Sequence, residues 1–230
     1  PFSFPQSGGR YSKTNRSVSS GCDLTLIELD RDLIPGLLAS FVSKAPERCR
    51  LISQDVLKVD FAPLGPALRV VGNLPYNIST PLLFQLLALG EQVKDIHVML
   101  QQEVVKRICA EPGHGAYGRL GVMIQASCDV EALIEVPPEA FAPAPKVHSG
   151  VVRITPNPAK AAAIKDPDML TRLVRTAFAQ RRKTLRNNLK EWPHAIALED
   201  FGIDPGARPE TLPVETYVTL ANALATQETD

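Results

Sequence analysis

The chain has 230 residues, 25 basic and 25 acidic, and no formal net charge, so only the distribution of its charges could point to a nucleic-acid partner. Its length carries one large domain or two modest ones, and an apolar content of 44% is ordinary for a soluble globular protein. No apolar run approaches the ~20 residues needed to span a bilayer, and the first residues lack the apolar stretch of a signal peptide, which predicts a cytoplasmic protein without a membrane partner.

Residues 1–22 are rich in Ser, Gly, Arg and Asn and show neither helical nor strand periodicity, so they read as an irregular leader. From Asp23 the texture changes. "LTLIEL" predicts a strand, and "DRDLIPGLLASFV" a helix in which Pro35 is tolerable only near the first turn. "RLISQDVL" and "LRVVGN" are two more strands, the second followed by a helix expected to start with Thr80 as N-cap and Pro81 at its first position. Next come a strand, "KDIHVML", a helix, "QQEVVKRICA", a glycine-rich loop and a further helix over "LGVMIQASC". "DVEALIEV" and "GVVRI" are strands separated by a proline-rich loop, with no helix between them, which predicts an antiparallel edge.

Alternation of strands and helices implies a mostly parallel sheet covered on both faces. After "TPNPAKAAAIKDP" the pattern turns helical: Leu170, Leu173, Val174, Ala177 and Phe178 fall on one helix face, and further helices are expected over "RKTLRNNLKEW" and "PVETYVTLANALA". The expected layout is the leader, an α/β domain over 23–156 and a small all-α domain over 157–230. Four cysteines and four histidines are widely spaced, without a C-x-x-C pair or a zinc spacing, so no metal is proposed.

In open parallel sheets, ligands bind at the carboxyl ends of the strands. Glu28, Asp55 and Asn73 occupy three such ends. Either acid alone reads first as a solvated cap, although a strand-end acid can also accept ribose hydroxyls or an exocyclic amine. Asn73-Leu74-Pro75-Tyr76 carries more chemistry. The exocyclic amine of adenine is a poor nucleophile because its lone pair is delocalised into the ring. Two acceptors, the Asn73 side-chain oxygen and the Leu74 carbonyl, could take its two N–H bonds and aim that lone pair at an electrophile. Pro75 fixes φ, and the Tyr76 ring offers a stacking face worth ~1–3 kcal/mol per base. A β-turn whose tyrosine merely packs fits the four residues equally well.

The stretch "VVGNLPYNISTPLLF" resembles motif IV of the ribosomal RNA adenine dimethyltransferases, which use S-adenosylmethionine. The resemblance continues through "IELDRDL", "QDVLKVDF", "MLQQEVVKRI", "AYGRLGVM", "FAPAPKVHSGVVR" and "AFAQRRKTLRNNL", in family order, from about Leu24 to the C-terminus. The last block favours the branch acting on small-subunit rRNA. The resemblance implies a Rossmann-like methyltransferase sheet with a small helical C-terminal domain. It implies that Glu28 holds the cofactor ribose, Asp55 the cofactor adenine, and Asn73 the junction of cofactor and target amine. Leu74, Pro75 and Tyr76 would form the target-base pocket, with Phe141 closing its other side; from chemistry alone Phe141 among prolines reads as a loop anchor. The reaction implied is transfer of a methyl from a sulfonium to adenine N6, twice per base, in which positioning matters more than a strong base. The substrate would be small-subunit rRNA or a pre-30S-like particle, and the protein a monomer.

Seven basic residues and one acid, Asp168, lie between Asp168 and Lys190. Arg182, Arg186 and Lys190 are spaced to form a stripe on one helix, and with Arg181 and Lys183 they are the expected RNA contacts; a solvated face balanced by acids elsewhere fits as well. The leader contains no counterpart of the family's glycine-rich cofactor loop, which predicts a sheet incomplete at its N-terminus, with weak cofactor binding. An alternative is therefore a catalytically impaired rRNA-binding assembly factor; a large-subunit rRNA adenine methylase is another.

Overall fold

The computed structural model describes residues 22–75, 77–141, 143–192 and 196–227. Residues 1–21 of the leader, Tyr76 and Ala142 lie outside them. Contacts divide the chain into two compact units: Pro1–Gln102 with Glu131–Pro156, and Glu103–Val130 with Asn157–Asp230.

The first unit is built on β1 (Leu24–Glu28), β2 (Cys49–Ser53), β3 (Leu68–Asn73), β4 (Val93–Gln101), β5 (Cys128–Val136, which enters it from the second unit) and β6 (Ser149–Pro156). Helix α1 (Ile34–Ser40), with Pro35 in its first turn, connects β1 to β2, and α2 (Ser79–Leu87) connects β3 to β4. Among the described residues the sheet is in two pieces. β1 and β2 are parallel, Leu24 opposite Cys49 and Glu28 opposite Ser53. The other piece has the order β3-β4-β6-β5, with β3 parallel to β4 and β4 antiparallel to β6. A loop with one short 3-10 turn, not a helix, joins β5 to β6, and β6 then lies between β4 and β5.

Apolar side chains explain which faces close. Leu24, Leu26, Leu37, Phe41 and Cys49 form a small core under β1 and β2. In the larger piece Val70, Ile96, Val98, Leu100, Val152 and Ile154 are buried, as are Leu82, Leu83 and Leu86 of α2. At the amino ends of β3 and β4, Arg69 grips Asp95 with two nitrogens, at 2.7 to 3.1 Å. Helix α2 starts earlier than the sequence implies. Ile78 is its N-cap and no side chain caps it, so Thr80 is a helical residue; the turn closed by the Ile78 amide on the Pro75 carbonyl, at 3.1 Å, feeds the chain straight into the helix.

The second unit contains α3 (Gln102–Cys109), α4 (Arg119–Gln125), α5 (Pro158–Ala162), α6 (Pro167–Ala177), α7 (Leu185–Leu189) and α8 (Val214–Gln227). Its membership differs from a division of the chain at residue 156. Ala110, Tyr117, Val122 and Ala126 are buried in one core with Leu170, Leu173, Val174 and Ala177 of α6 and Tyr217, Leu220 and Leu224 of α8, so the segment around α4 belongs with the helices. Phe178 meets the rings of Tyr117 and Tyr217 at centroid distances of 6.3 and 5.7 Å, and those tyrosines donate to the carbonyls of Leu212 and Pro209.

The single helix expected over "RKTLRNNLKEW" is only five residues long, Leu185–Leu189. Thr184 caps it, the Leu185 amide is drawn to the Ala207 carbonyl at 2.8 Å, and the Trp192 amide closes a tight turn on Leu189. Arg182 and Lys190 are therefore outside the helix, and the expected i, i+4, i+8 stripe does not form. Among the described residues, no helix is long and apolar enough to cross a membrane.

Candidate functional site

Strands β1, β2 and β3 of the first unit lead into the polar residues singled out by sequence. Glu28 closes β1. Its Oε1 accepts from the amides of Leu29 and Asp30, at 2.8 and 2.9 Å. Asp55, two residues past the end of β2, caps a short 3-10 turn: its Oδ1 accepts from the Leu57 amide at 3.0 Å. Both carboxylates are half-buried, and in each the second oxygen has no partner among the described residues. The capping and ligand readings are thus compatible, since one oxygen fixes the turn and the other is left to accept.

The donor set fits the group the resemblance implies. A ribose presents hydroxyl donors and an adenine presents an amine donor, and each acid offers an acceptor whose position is already set by its own turn. Because β1 and β2 are parallel and in register, both acceptors sit at the same end of the pair.

Asn73 ends β3, with its Cα partnered to Met99 of β4. Its side chain is exposed and has no partner among the described residues. The next residue is held firmly. Leu74 has its side chain buried, at 8% exposure, and its amide donates to the Met99 carbonyl at 3.2 Å. Among the described residues nothing donates to the Leu74 carbonyl, whereas the Pro75 carbonyl is occupied by the Ile78 amide. So this strand end supplies one carboxamide and one peptide oxygen, adjacent in sequence, both still able to accept. Tyr76 lies outside the described residues. Phe141 is half-buried at the end of a short 3-10 turn, its amide on the Pro138 carbonyl at 3.1 Å.

Two of the basic residues, Arg186 and Lys190, are seen engaged by acids among the described residues, because the fold supplies partners that lie outside the window in which the sequence shows only Asp168. Arg186 pairs with Glu199, and Lys190 lies 3.5 Å from Glu191. Arg181 donates to the Gly115 carbonyl. Arg182 and Lys183 are exposed and have no acid partner among the described residues. A contact that sequence reasoning missed is Arg172 stacked over the Trp192 ring, 4.5 Å from its centroid; twenty residues separate them, outside any helical spacing.

Comparison with known proteins gives a consistent result. The family model described as ribosomal RNA adenine dimethylase matches residues 15–226. A protein of Saccharophagus degradans named ribosomal RNA small subunit methyltransferase A is 52% identical over 219 residues, covering 94% of this chain and 81% of that protein. Its namesake in Pseudomonas aeruginosa is 50% identical over 220 residues, with the same two shares. Among solved structures, a dimethyladenosine transferase from Plasmodium falciparum is similar with a TM-score of 0.77 at 22% identity, over 89% of this chain and 82% of that one. The 23S rRNA methyltransferase ErmE follows with 0.66 at 22% identity, over 95% and 88%. Both likenesses speak for the Rossmann-like fold alone.

Proposed function

The chain belongs to the ribosomal RNA adenine dimethylase family, and from that premise we propose which of its residues perform the reaction. The activity is S-adenosylmethionine-dependent dimethylation of adenine N6 in small-subunit ribosomal RNA. When bound, the cofactor supplies an electrophilic methyl on a sulfonium.

The free oxygen of Glu28 accepts from the cofactor ribose, and that of Asp55 from the cofactor adenine amine. Asn73 Oδ1 and the Leu74 carbonyl accept the two N–H bonds of the target amine. That holds its nitrogen pyramidal, so the lone pair points at the methyl rather than into the ring. On taking the methyl the target nitrogen would become cationic, and one of its protons would then leave to water. Two fixed dipoles facing a nitrogen that gains positive charge stabilise the transition state more than the ground state. Tyr76 and Phe141 sandwich the base once it has left its stack, and Pro75 keeps the turn rigid.

The observation that carries this reading is the pair of unused acceptors at Asn73 and Leu74, on a strand end whose amide is pinned to Met99. Exposed Arg182 and Lys183, with Arg181, Arg186 and Lys190 around them, would hold RNA phosphates, which position the protein without reading sequence. The physiological substrate would be a pre-30S-like particle, met by a monomer in the cytoplasm. The catalytic domain would run over 23–156 in sequence and the RNA-binding domain over 157–230, with residues 103–130 contributing to the helical core.

Methyl incorporation into undermethylated small subunits tests the assignment. Asn73→Ala should lower the rate by roughly 10²–10³ while leaving the unfolding midpoint unchanged, because the side chain is exposed. Full activity in that variant would remove Asn73 from the mechanism. Salt-sensitive docking by the unmodified chain with no incorporation would favour the assembly-factor reading instead.

A further inference from the structure

The second unit contains an open cleft of about 430 Å³ that shares no residue with the site at Asn73–Tyr76. Its walls come from α6 and from the segment around α7, and they include Arg172, Arg175, Gln180, Asn187, Lys190 and Trp192. The volume lies within the ~300–1,000 Å³ of small-ligand sites and exceeds what a bare phosphate needs.

The chemistry of the walls is specific. Trp192 is 8% exposed, and the Arg172 guanidinium lies over its ring at 4.5 Å, so one wall is a flat cation backed by an indole. Such a plane accepts a stacked base. Arg175 is exposed and has no acid partner among the described residues, and Lys190 has only the weak, solvent-exposed pair with Glu191. The side-chain amides of Gln180 and Asn187 have no partner there either; each presents a donor beside an acceptor, the pattern that matches a base edge. The rim is held in place by bonds to the backbone. Asn188 donates to the Gln180 carbonyl at 3.2 Å, and Thr184 Oγ1 caps the Asn187 amide.

Cations for a phosphodiester, a stacking plane and two unused amides together describe one nucleotide rather than one ion. A nucleotide in an A-form helix cannot use them, since its base is stacked and its Watson–Crick edge is paired. We propose that this cleft seats one unstacked nucleotide of a single-stranded RNA segment, other than the adenine being methylated. Phosphate lies on Arg175 and Lys190, the base on Arg172, and the base edge against Gln180 and Asn187. This inference rests on the reading that the protein acts on ribosomal RNA.

Trp192 is the sole tryptophan of the chain, so its emission reports on this cleft directly. The full chain is titrated with a single-stranded oligoribonucleotide of about 10 nucleotides, with a duplex of the same length, and with inorganic phosphate. The single strand should change the emission saturably, and Arg175→Glu should weaken that response about tenfold or more. Asn187→Ala should weaken it several-fold and alter the preference among bases. An equal response to duplex or to phosphate would overturn the proposal, as would no response to the single strand or full affinity in Arg175→Glu. Arg175 and Asn187 are exposed, so circular dichroism should show both variants folded; the titration of the unmodified chain stands independently of them. Methyl transfer to small subunits is measured in parallel. Transfer without an emission change defeats the cleft alone, whereas an emission change without transfer defeats the methylase reading alone.

Discussion

Among the described residues, strands β1 and β2 make five register pairs with each other and rest on a core of five buried residues. Strand β4, by contrast, is paired on both sides, with β3 and with β6, and its Ile96 and Val98 are fully buried. In the proposed mechanism both pieces would carry parts of one site: Glu28 and Asp55 on the first, Asn73 and Leu74 on the second. A two-stranded piece has little stability of its own, while a strand paired on both sides opens only with the whole unit. The proposed cofactor acceptors would therefore stand on the more easily opened piece, and the proposed acceptors for the target amine on the firmer one.

The largest effect that would break this comparison is a core truncation on each side. Ile96→Ala should cost about 2–5 kcal/mol, seen as an earlier cooperative transition in urea. Leu26→Ala should cost less and should mainly raise hydrogen exchange at β1 and β2. Equal losses in the two variants would mean that the pieces unfold as one. Ligand linkage sharpens the same contrast. S-adenosylmethionine at a hundredfold excess over its Kd should stabilise the protein by about 2.7 kcal/mol, with the greatest added protection at β1 and β2. Protection confined to β3 and β4 would dissociate Glu28 and Asp55 from the cofactor.

A third effect acts on the firm piece alone. Burial pushes the Asp95 carboxyl up, but its hydrogen bonds and ion pair with Arg69 outweigh that and hold it below the usual carboxylate range. A group whose folded pKa is depressed contributes stability above its unfolded pKa and loses it as pH falls through the folded value. That contribution should begin to fall below about pH 4 and be gone only once the pH lies under the lowered folded value. Arg69 is 54% exposed, so solvent screening keeps the pair modest. Asp95→Asn should cost about 1–3 kcal/mol at neutral pH and flatten the acid limb of a pH-dependent urea series. An unchanged acid limb would assign it to other carboxylates.

The sequence made the larger piece readable because its apolar runs are long and bounded by turn residues, as at "LRVVGN" before Leu74-Pro75. The face of α6 was legible for the same reason: Leu170, Leu173, Val174 and Ala177 all point into one core. What was not legible depends on bonds between residues far apart in the chain. Nothing local to Leu185 announces that its amide will go to Ala207 and cut the helix short, or that Glu199 will meet Arg186. Tyr117 and Val122 join the helical core by tertiary packing that overrides chain order. At the site, Asn73 and Leu74 stood out as a turn with two spare acceptors, whereas Glu28 and Asp55, taken alone, looked more like caps than ligands. The structure explains the ambiguity, since each acid uses one oxygen for its own turn.

That division of labour gives the smallest predicted effect on stability. In Asp55→Asn the side-chain oxygen can still accept from the Leu57 amide, and Asn caps about as well as Asp, so stability should change by a few tenths of a kcal/mol at most. The second position of the side chain, however, becomes an NH2 donor facing the donor amine of the cofactor adenine. Cofactor affinity should therefore fall about tenfold or more, measured by isothermal titration. Asp55→Ala, which removes the cap as well, should lose about 0.5–2 kcal/mol of stability in addition. If Asn at this position left affinity intact, the free oxygen of Asp55 would have no ligand role, and the acid would be only the cap that its bond to Leu57 describes.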